Sequence, residues 1–231
     1  MANILITGGT KGIGKAIARL FVQAGHNIII VARSADDLVT TRKELLELNP
    51  EVEVLAKNID LRRKREILAC AKWLSEKWET LDVLVNNAAL FVQKGFVEEP
   101  ANTLEKTLAT NLLAPYYLTK SLLPLLQRSP KAHIFNICSV ASRQPFPEAM
   151  AYGISKYALL GFSQNLRESL KTDGIRVTAV LPGATYTSSW AGEEIDPKAL
   201  MPPEDVAQAI FSAYEMSERT VVEELILRPR G

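Results

Sequence analysis

The chain has 231 residues, a length that suits one sizeable α/β domain with a large buried core. Its residues are 47% hydrophobic and 23% charged, as in ordinary globular proteins, and its net charge of +1 gives no reason to expect nucleic acid or an anionic membrane as a partner. Two cysteines without a Cys-x-x-Cys pair make a reduced, cytoplasmic setting the expectation. We expect neither a secretory leader nor a membrane span, because no basic leader precedes the first apolar run and no apolar run approaches about 20 residues.

Short apolar runs alternate with helical patterns from one end of the chain to the other. Each run is rich in Ile, Val or Leu and is bounded by turn or polar residues, which is typical of buried strands. The predicted strands are Ile4–Thr7, Asn27–Ala32, Val52–Asn58, Asp82–Asn86, His133–Ser139, Arg176–Leu181 and Glu224–Arg228.

The segments between these runs carry apolar residues at helical spacing. The clearest stripes are Ile13, Ile17, Leu20 and Phe21, then Ile67, Leu68, Ala71, Leu74 and Trp78. Further helices are predicted over Asn102–Gln127, which Pro115 and Pro124 should kink or shorten, over Tyr152–Lys171, which ends at Asp173-Gly174, and from Pro202 to about Met216.

Seven strands with intervening helices predict an open, doubly wound parallel sheet with helices on both faces. No linker, repeat or low-complexity stretch divides the chain, so residues 1–231 are predicted to form one domain. Ligands of such sheets bind outside the carboxyl ends of the strands, and the candidate site residues should therefore lie there.

A glycine-rich turn, Thr7–Gly14, connects the first strand to the first helix. Glycine permits a tight turn and lets backbone N–H groups approach a pyrophosphate at the helix N-terminus. The spacing is Gly-x-x-x-Gly-x-Gly, which differs from the commonest dinucleotide pattern. Gly9–Lys15 also matches the start of a nucleoside-triphosphate loop, but Ala16 stands where a hydroxyl should hold Mg²⁺, which disfavours a kinase-like phosphate binder.

Tyr152 and Lys156 lie four residues apart and should share one helix face, while Ser139 ends a predicted strand. Such a pair is common by chance, but its place at the ligand-binding edge makes it a candidate for catalysis. We expect the ammonium, together with any cationic nicotinamide, to lower the phenol pKa from about 10 toward neutrality. The phenol could then exchange a proton with an alcohol or ketone near neutral pH.

Taken together, these motifs resemble the short-chain dehydrogenase/reductase family in its shorter, single-domain branch. The resemblance covers nearly the whole chain and is carried by Thr7–Gly14, Asp60, Asn86-Asn87-Ala88, Asn111, Ser139, Tyr152, Lys156 and Pro182-Gly183. It implies a Rossmann-type fold, a nicotinamide cofactor and a homotetramer or homodimer. It extends to 3-oxoacyl-[acyl-carrier-protein] reductases and to pteridine or small-ketone reductases, and it leaves the substrate open.

The resemblance also implies roles for four residues at the reacting end. Tyr152 would be the acid/base, Ser139 would orient the substrate carbonyl, and Lys156 would hold the nicotinamide ribose and acidify the phenol. The backbone of Asn111 would hold a water that links Lys156 to solvent.

For the cofactor, the resemblance implies that Asp60 contacts adenine and that Pro182-Gly183 and Thr187 hold the nicotinamide amide, with Thr185 and Ser188 as alternatives to Thr187. The full set of expected cofactor contacts is Thr7, Gly8, Thr10, Lys11, Gly12, Ile13, Gly14, Arg33, Ser34, Asp60, Asn87, Ala88, Tyr152, Lys156, Pro182, Gly183, Thr185 and Thr187. One departure is Ala89, where the family usually has glycine, and an alanine would be strained there if its φ were positive.

The end of the second strand predicts which nicotinamide cofactor binds. An NAD site would place a carboxylate there for the ribose 2′-OH, but Arg33 stands in that region, and a guanidinium suits a 2′-phosphate. Lys11 would add a second positive charge, whereas Asp36 and Asp37 would begin the next helix. We therefore expect NADP(H) in preference to NAD(H).

Other residues are candidates for the substrate flap and for contacts between subunits. The flap is expected at about 184–201, with Tyr186, Trp190 and Met201 as apolar candidates, and Phe91, Phe96, Phe146 and Pro147 are further candidates for the pocket. Candidates for the subunit interface are Leu108, Leu112, Leu113, Tyr117, Phe162 and Leu166. Ordinary packing is the alternative for both sets. The leading hypothesis is an NADP(H)-dependent oxidoreductase, and the alternative is a non-catalytic NADP(H)-binding sensor or scaffold of the same fold.

Overall fold

The computed structural model describes residues 1–187 and 196–230. Seven parallel strands form one sheet in the order β3-β2-β1-β4-β5-β6-β7. The strands are β1 (Asn3–Thr7), β2 (Asn27–Ala32), β3 (Val54–Asn58), β4 (Val83–Asn86), β5 (His133–Ile137), β6 (Arg176–Pro182) and β7 (Glu224–Leu227). The α-helices are α1 (Gly12–Gln23), α2 (Ala35–Leu48), α3 (Lys64–Ser75), α4 (Thr103–Leu108), α5 (Ala114–Leu126), α6 (Met150–Leu170) and α7 (Pro203–Glu215). This confirms the predicted Rossmann-type, doubly wound sheet.

The sheet is covered on both faces, which explains why its strands are continuous apolar runs. Successive residues of a strand point to opposite faces, so Ile4 and Ile6 pack into one apolar cluster and Leu5 into the other. The first cluster includes apolar residues of α1 and α7, such as Phe21 and Ile210. The second includes residues of α3 and α5. Two apolar layers therefore sandwich the strands and hold their carboxyl ends in register.

The long predicted helix over Asn102–Gln127 is divided into three parts. Helix α4 is followed by a π-helical turn, Ala109–Leu113, and then by α5. Pro115 is the second residue of α5, directly after the π-helical turn, and Pro124 lies inside that helix. The division therefore falls at the turn that contains Asn111.

Helix α6 carries Tyr152 in its first turn and ends as predicted. A 3₁₀ turn, Lys171–Asp173, follows the helix, and Gly174 stops it at a φ of 70°. Among the helices of the described ranges, none is both long enough and apolar enough to cross a membrane.

Candidate active site

A cavity of about 600 Å³ lies outside the carboxyl ends of the strands, where ligands of this fold bind. Its wall combines residues that follow β1, β2, β3, β4, β5 and β6. The sequence-predicted residues that line it are Gly8, Thr10, Lys11, Gly12, Ile13, Arg33, Ser34, Asp60, Asn87, Ala88, Ser139, Tyr152, Lys156, Pro182, Gly183, Thr185 and Thr187. Thr7, Gly14 and Asn111 do not line it.

The glycine turn is shaped to leave its backbone open toward this cavity. Gly12 has a φ of +50°, a conformation that L side chains rarely adopt. A Cβ on Gly14 would lie 2.3 Å from the carbonyl oxygen of Gly8, so this position must lack a side chain. Among the described residues no side chain caps the N-terminus of α1, which leaves its N–H groups available to an anion. The turn therefore fits a pyrophosphate.

Thr7 and Asn87 join the glycine turn to the segment after β4. The hydroxyl of Thr7 accepts hydrogen bonds from the backbone N–H groups of Asn87 and Ala88, at 2.9 and 3.0 Å. The side-chain amide of Asn87 donates to the carbonyl oxygens of Thr7 and Gly8, at 2.8 and 3.1 Å. Thr7 is therefore buried behind the cavity, where it holds the two loops together.

The triphosphate-loop interpretation gains no support from the position of its lysine. Lys15 Nζ pairs with Glu44 Oε2 at 2.5 Å, and Lys15 does not line the cavity. Ala16 is buried in the core instead of facing a metal.

Ser139 is held by a reciprocal pair of hydrogen bonds at the end of β5. Its Oγ accepts from the N–H of Ala141 at 3.1 Å, while its own N–H donates to Ser142 Oγ at 3.2 Å. Because Oγ is an acceptor in this arrangement, its hydroxyl proton remains to be donated into the cavity.

Burial dominates the electrostatics of Tyr152 and Lys156. Lys156 Nζ lies 5.4 Å from the centre of the Tyr152 ring and donates to the carbonyl oxygen of Ile137 at 2.6 Å. Burial raises the pKa of Tyr152 to about 12, although a hydrogen bond with Ser139 lowers it, and burial lowers the pKa of Lys156 to about 8. The expected fall in the phenol pKa is thus wrong for the chain alone, because loss of solvent outweighs any effect of the ammonium.

Asn111 is buried and its side chain connects three elements. Its Oδ1 accepts from the N–H of Leu90 at 2.7 Å, and its Nδ2 donates to Leu90 O at 3.1 Å and to Ser155 Oγ at 2.9 Å. It lies in the π-helical turn, where i→i+5 hydrogen bonds replace the regular pattern. The side chain therefore anchors the loop after β4 to α6, and the backbone stands at an irregular turn.

The part of the cavity wall formed by the glycine turn and by the segment after β2 carries two cations and a carboxylate. Lys11 Nζ pairs with Asp37 Oδ2 at 2.7 Å, and both residues line the cavity. Arg33 is exposed and has no carboxylate partner among the described residues. Ser34 caps α2 by accepting from the N–H of Asp37 at 3.1 Å, so Asp37 does lie in the first turn of that helix, as predicted.

Asp60 lines the cavity after β3 but its carboxylate is already engaged. Arg62 donates to it at 2.6 Å, and this hydrogen bond lowers the pKa of Asp60 to about 2. Its charge is therefore retained across the physiological pH range, and Arg62 orients it.

Ala89 adopts no strained backbone conformation. Asn102, with a φ of 63°, is the one non-glycine residue with positive φ in the part of the chain that the structure describes. The alanine is thus accommodated in the loop after β4.

The structure places only part of the expected substrate wall in the cavity. Phe91 and Phe146 line it, whereas Phe96 is 71% exposed and Pro147 lies outside the wall. Met201 is buried in the core and Tyr186 is 53% exposed. Ser188 and Trp190 lie outside the described residues.

Several lining residues were not predicted from the sequence. They are Val31, Ala32, Asp37, Ile59, Leu61, Ala89, Leu90, Thr110, Ile137, Cys138, Val140 and Ala141. Most of them are direct sequence neighbours of a predicted residue at a strand end. They could therefore have been predicted from their position next to a motif. Asp37 is the exception, because only the packing of α2 against the glycine turn brings it to the wall.

The fold and the site together define a Rossmann-type domain in which an open glycine turn shares one cavity with Ser139, Tyr152 and Lys156 at the ligand-binding edge of the sheet. A family model described as short chain dehydrogenase matches residues 2–197, and the chain belongs to that family.

Individual relatives agree with this assignment. The chain is 34% identical to the sepiapterin reductase of Chlorobaculum tepidum, over 98% of this chain and 95% of that protein. It is 32% identical to an NADP-dependent 3-hydroxy acid dehydrogenase of Salmonella typhi, over 90% and 87%. The solved alcohol dehydrogenase of Thermococcus sibiricus, complexed with 5-hydroxy-NADP, superposes with a TM-score of 0.92 at 27% identity, over 100% of this chain and 97% of that one.

Proposed function

We propose that this protein is an NADP(H)-dependent oxidoreductase that transfers a hydride reversibly between the nicotinamide and an alcohol/ketone substrate. The observation that carries the proposal is the presence of Ser139, Tyr152 and Lys156 in the same cavity as an open, uncapped glycine turn. A shared cavity would bring a cofactor phosphate bound at the glycine turn and a substrate bound at these three side chains into one site.

The chain's own residues account for carbonyl orientation and proton delivery. Ser139 donates a hydrogen bond from its hydroxyl to the substrate oxygen, keeps its own proton, and so fixes the carbonyl beside Tyr152. The phenol, whose pKa of about 12 keeps it protonated at neutral pH, delivers its proton to the same oxygen during ketone reduction. The bound nicotinamide supplies the hydride in that direction and accepts it in the reverse one.

Lys156 and Asn111 support the reacting phenol. The Lys156 ammonium is held by Ile137 O and would bind the ribose hydroxyls from that anchored position. We propose that the backbone at Asn111 holds a water that returns a proton toward Lys156, which the π-helical turn supports because it departs from the regular hydrogen-bond ladder. The reverse reaction requires phenolate, which a neighbouring cation favours.

The preference for NADP(H) rests on Arg33. Its exposed guanidinium lines the cavity after β2, where it can bind a 2′-phosphate in a bidentate manner. The Salmonella relative is NADP-dependent, and the Thermococcus alcohol dehydrogenase was solved in complex with 5-hydroxy-NADP, which also supports this preference. The Lys11 ammonium can contribute only while shared with Asp37.

Steady-state kinetics with both cofactors test this proposal. A panel of carbonyl compounds is screened for NADPH oxidation, and the double variant Arg33→Asp, Lys11→Ala is compared with the unaltered chain. We expect the ratio of kcat/KM for NADPH to that for NADH to fall well below its original value. An unchanged ratio would refute the cofactor assignment, and tight NADPH binding without any turnover would favour the sensor or scaffold alternative.

We further propose that the chain forms a homo-oligomer through α4, α5 and α6. Leu104, Tyr116, Ile154 and Tyr157 on these helices are exposed apolar residues, and so is Leu113 at the end of the π-helical turn. Of the sequence candidates, Leu113 is exposed, while Tyr117 and Leu166 pack against the core beneath the sheet. Light scattering that shows a dimer or tetramer would support the proposal, and a monomer at micromolar concentration would refute it.

A further inference from the structure

We propose that the cavity wall beside Tyr152 is a subsite for a flat, uncharged aromatic ring attached to the substrate ketone. The ring would pack against Phe91 and Phe146. This inference rests on the proposed function, because it names the class of ketone that the same site reduces.

Three aromatic rings converge at the reacting phenol. The centres of the Phe91 and Tyr152 rings are 4.9 Å apart with an interplanar angle of 82°, an edge-to-face contact. The Phe146 ring lies 6.3 Å from Tyr152 and 6.4 Å from Phe91. These separations fall in the range of favourable aromatic pairs. A carbonyl held at the Tyr152 hydroxyl therefore places its substituents directly against an aromatic wall.

The backbone segments that carry both phenylalanines are held by contacts of neighbouring residues. Phe91 follows Leu90, whose N–H and C=O are both bound by the side chain of Asn111. Phe146 stands between two prolines, in a loop that is tied to β7 by the ion pair between Arg143 and Glu224.

A hydrogen bond adds to this attachment, because Arg228 donates to Gln144 at 3.3 Å. The wall is thus positioned before a substrate arrives, which lowers the entropic cost of binding a rigid ring.

The charges of the described wall lie elsewhere. Lys11, Arg33, Asp37 and Asp60 line the part of the cavity that follows the glycine turn, β2 and β3. Among the described residues that line the cavity near Tyr152, Lys156 is the one that carries a charge. Its ammonium already donates a hydrogen bond to Ile137 O.

Neutral residues form the rest of that end, namely Ala89, Leu90, Phe91, Val140, Ala141, Phe146 and Ala184. An ionised group on the substrate would lose water there without gaining a partner from these residues. An uncharged ring loses little hydration and gains aromatic contacts.

Matched ketones test the inference. Reduction of acetophenone, of its saturated counterpart cyclohexyl methyl ketone and of the anionic 4-acetylbenzoate is measured with NADPH. An aromatic pair contributes about 0.5–1.5 kcal/mol beyond burial, so we expect acetophenone to exceed the saturated ketone roughly 2–12-fold in kcat/KM for each ring that it contacts. The anionic ketone should be the poorest of the three.

Variants of the two phenylalanines test whether the preference for the aromatic ketone arises from this part of the cavity wall. Phe91→Leu and Phe146→Leu should each lower the ratio of the acetophenone rate to the cyclohexyl methyl ketone rate. Phe96→Leu is the matched control, because Phe96 is exposed and outside the cavity. Equal kcat/KM for the two ketones, or a ratio that the cavity variants leave unchanged, would overturn the subsite.

A readout without turnover separates this inference from the proposed reaction. Saturation-transfer NMR on the NADP⁺-loaded protein should show acetophenone ring protons in contact with the protein, weakened in Phe91→Leu. Ring contact without NADPH oxidation would overturn the reaction and keep the subsite. NADPH oxidation without ring contact would overturn the subsite and keep the reaction.

Discussion

Gly14→Ala tests whether the glycine turn is as closely packed as the structure indicates. The new Cβ would lie 2.3 Å from Gly8 O and 2.5 Å from Asn87 Nδ2, and both distances are far below van der Waals contact. The nearest neighbour is a backbone atom, so the turn itself must move. The amide of Asn87, which donates to Thr7 O and Gly8 O, would be displaced with it.

The size of the effect follows from these contacts. Overpacking costs about 1–3 kcal/mol, and each of the two displaced hydrogen bonds contributes about 1 kcal/mol. The free energy of unfolding should therefore fall by about 3–5 kcal/mol. For a chain of this size that corresponds to a drop of about 6–20 °C in Tm.

Thermal and urea unfolding of the purified variant measure this change, and NADPH titration measures the damage to the turn. The matched control is Gly161→Ala in α6, where no atom lies within 4 Å of the added Cβ. The free energy of unfolding of that control should rise by about 0.5–1 kcal/mol, because alanine has a higher helix propensity than glycine. A Gly14→Ala protein that unfolds at the wild-type temperature and binds NADPH with wild-type affinity would refute the packing argument.

Three further predictions concern charges away from the reacting phenol. Asp37→Asn should release Lys11 and remove a negative charge from the cavity wall, raising the NADPH to NADH ratio of kcat/KM by about 2–5-fold; a lower ratio would contradict this. His133 is buried against Thr178, and burial lowers the pKa of its imidazole in the folded protein. Below pH 6.5 the unfolded chain therefore binds more protons at His133 than the folded chain does, and the free energy of unfolding should decrease as the pH falls. Urea midpoints between pH 7 and 5 measure this loss, which should be smaller in His133→Leu; equal slopes would exclude His133 as the cause. Glu224→Gln should lower kcat/KM about 2–5-fold, because loss of the ion pair with Arg143 loosens the loop that carries Phe146. The charge-swapped double variant Arg143→Glu, Glu224→Arg should restore kcat/KM, and failure to restore it would argue against a role for the ion pair.

The sheet was predictable because its physical cause is local in the sequence. A strand buried on both faces must be apolar at nearly every position, and β5 and β6 are buried throughout. Their carboxyl ends then indicate where to look for Ser139 and Pro182. The glycine turn was predictable for the same reason, since its conformation depends on residue type.

Properties that depend on packing were not predictable. The pKa of Tyr152 depends on how completely neighbouring loops exclude water, and no spacing of residues reports that. Lys11 and Asp37 meet only because α2 packs beside the glycine turn. Phe91 and Phe96 lie in one loop with similar surroundings in sequence, yet only Phe91 reaches the cavity.

The most direct test of the account is the rate of NADPH oxidation by Tyr152→Phe with a ketone that the unaltered chain reduces. The variant keeps the ring and its contacts with Phe91 but has no proton to donate. We predict that kcat falls by about 10²–10⁴-fold while the Tm stays close to that of the unaltered protein. Turnover equal to that of the unaltered chain would contradict the assignment of Tyr152 as the proton donor.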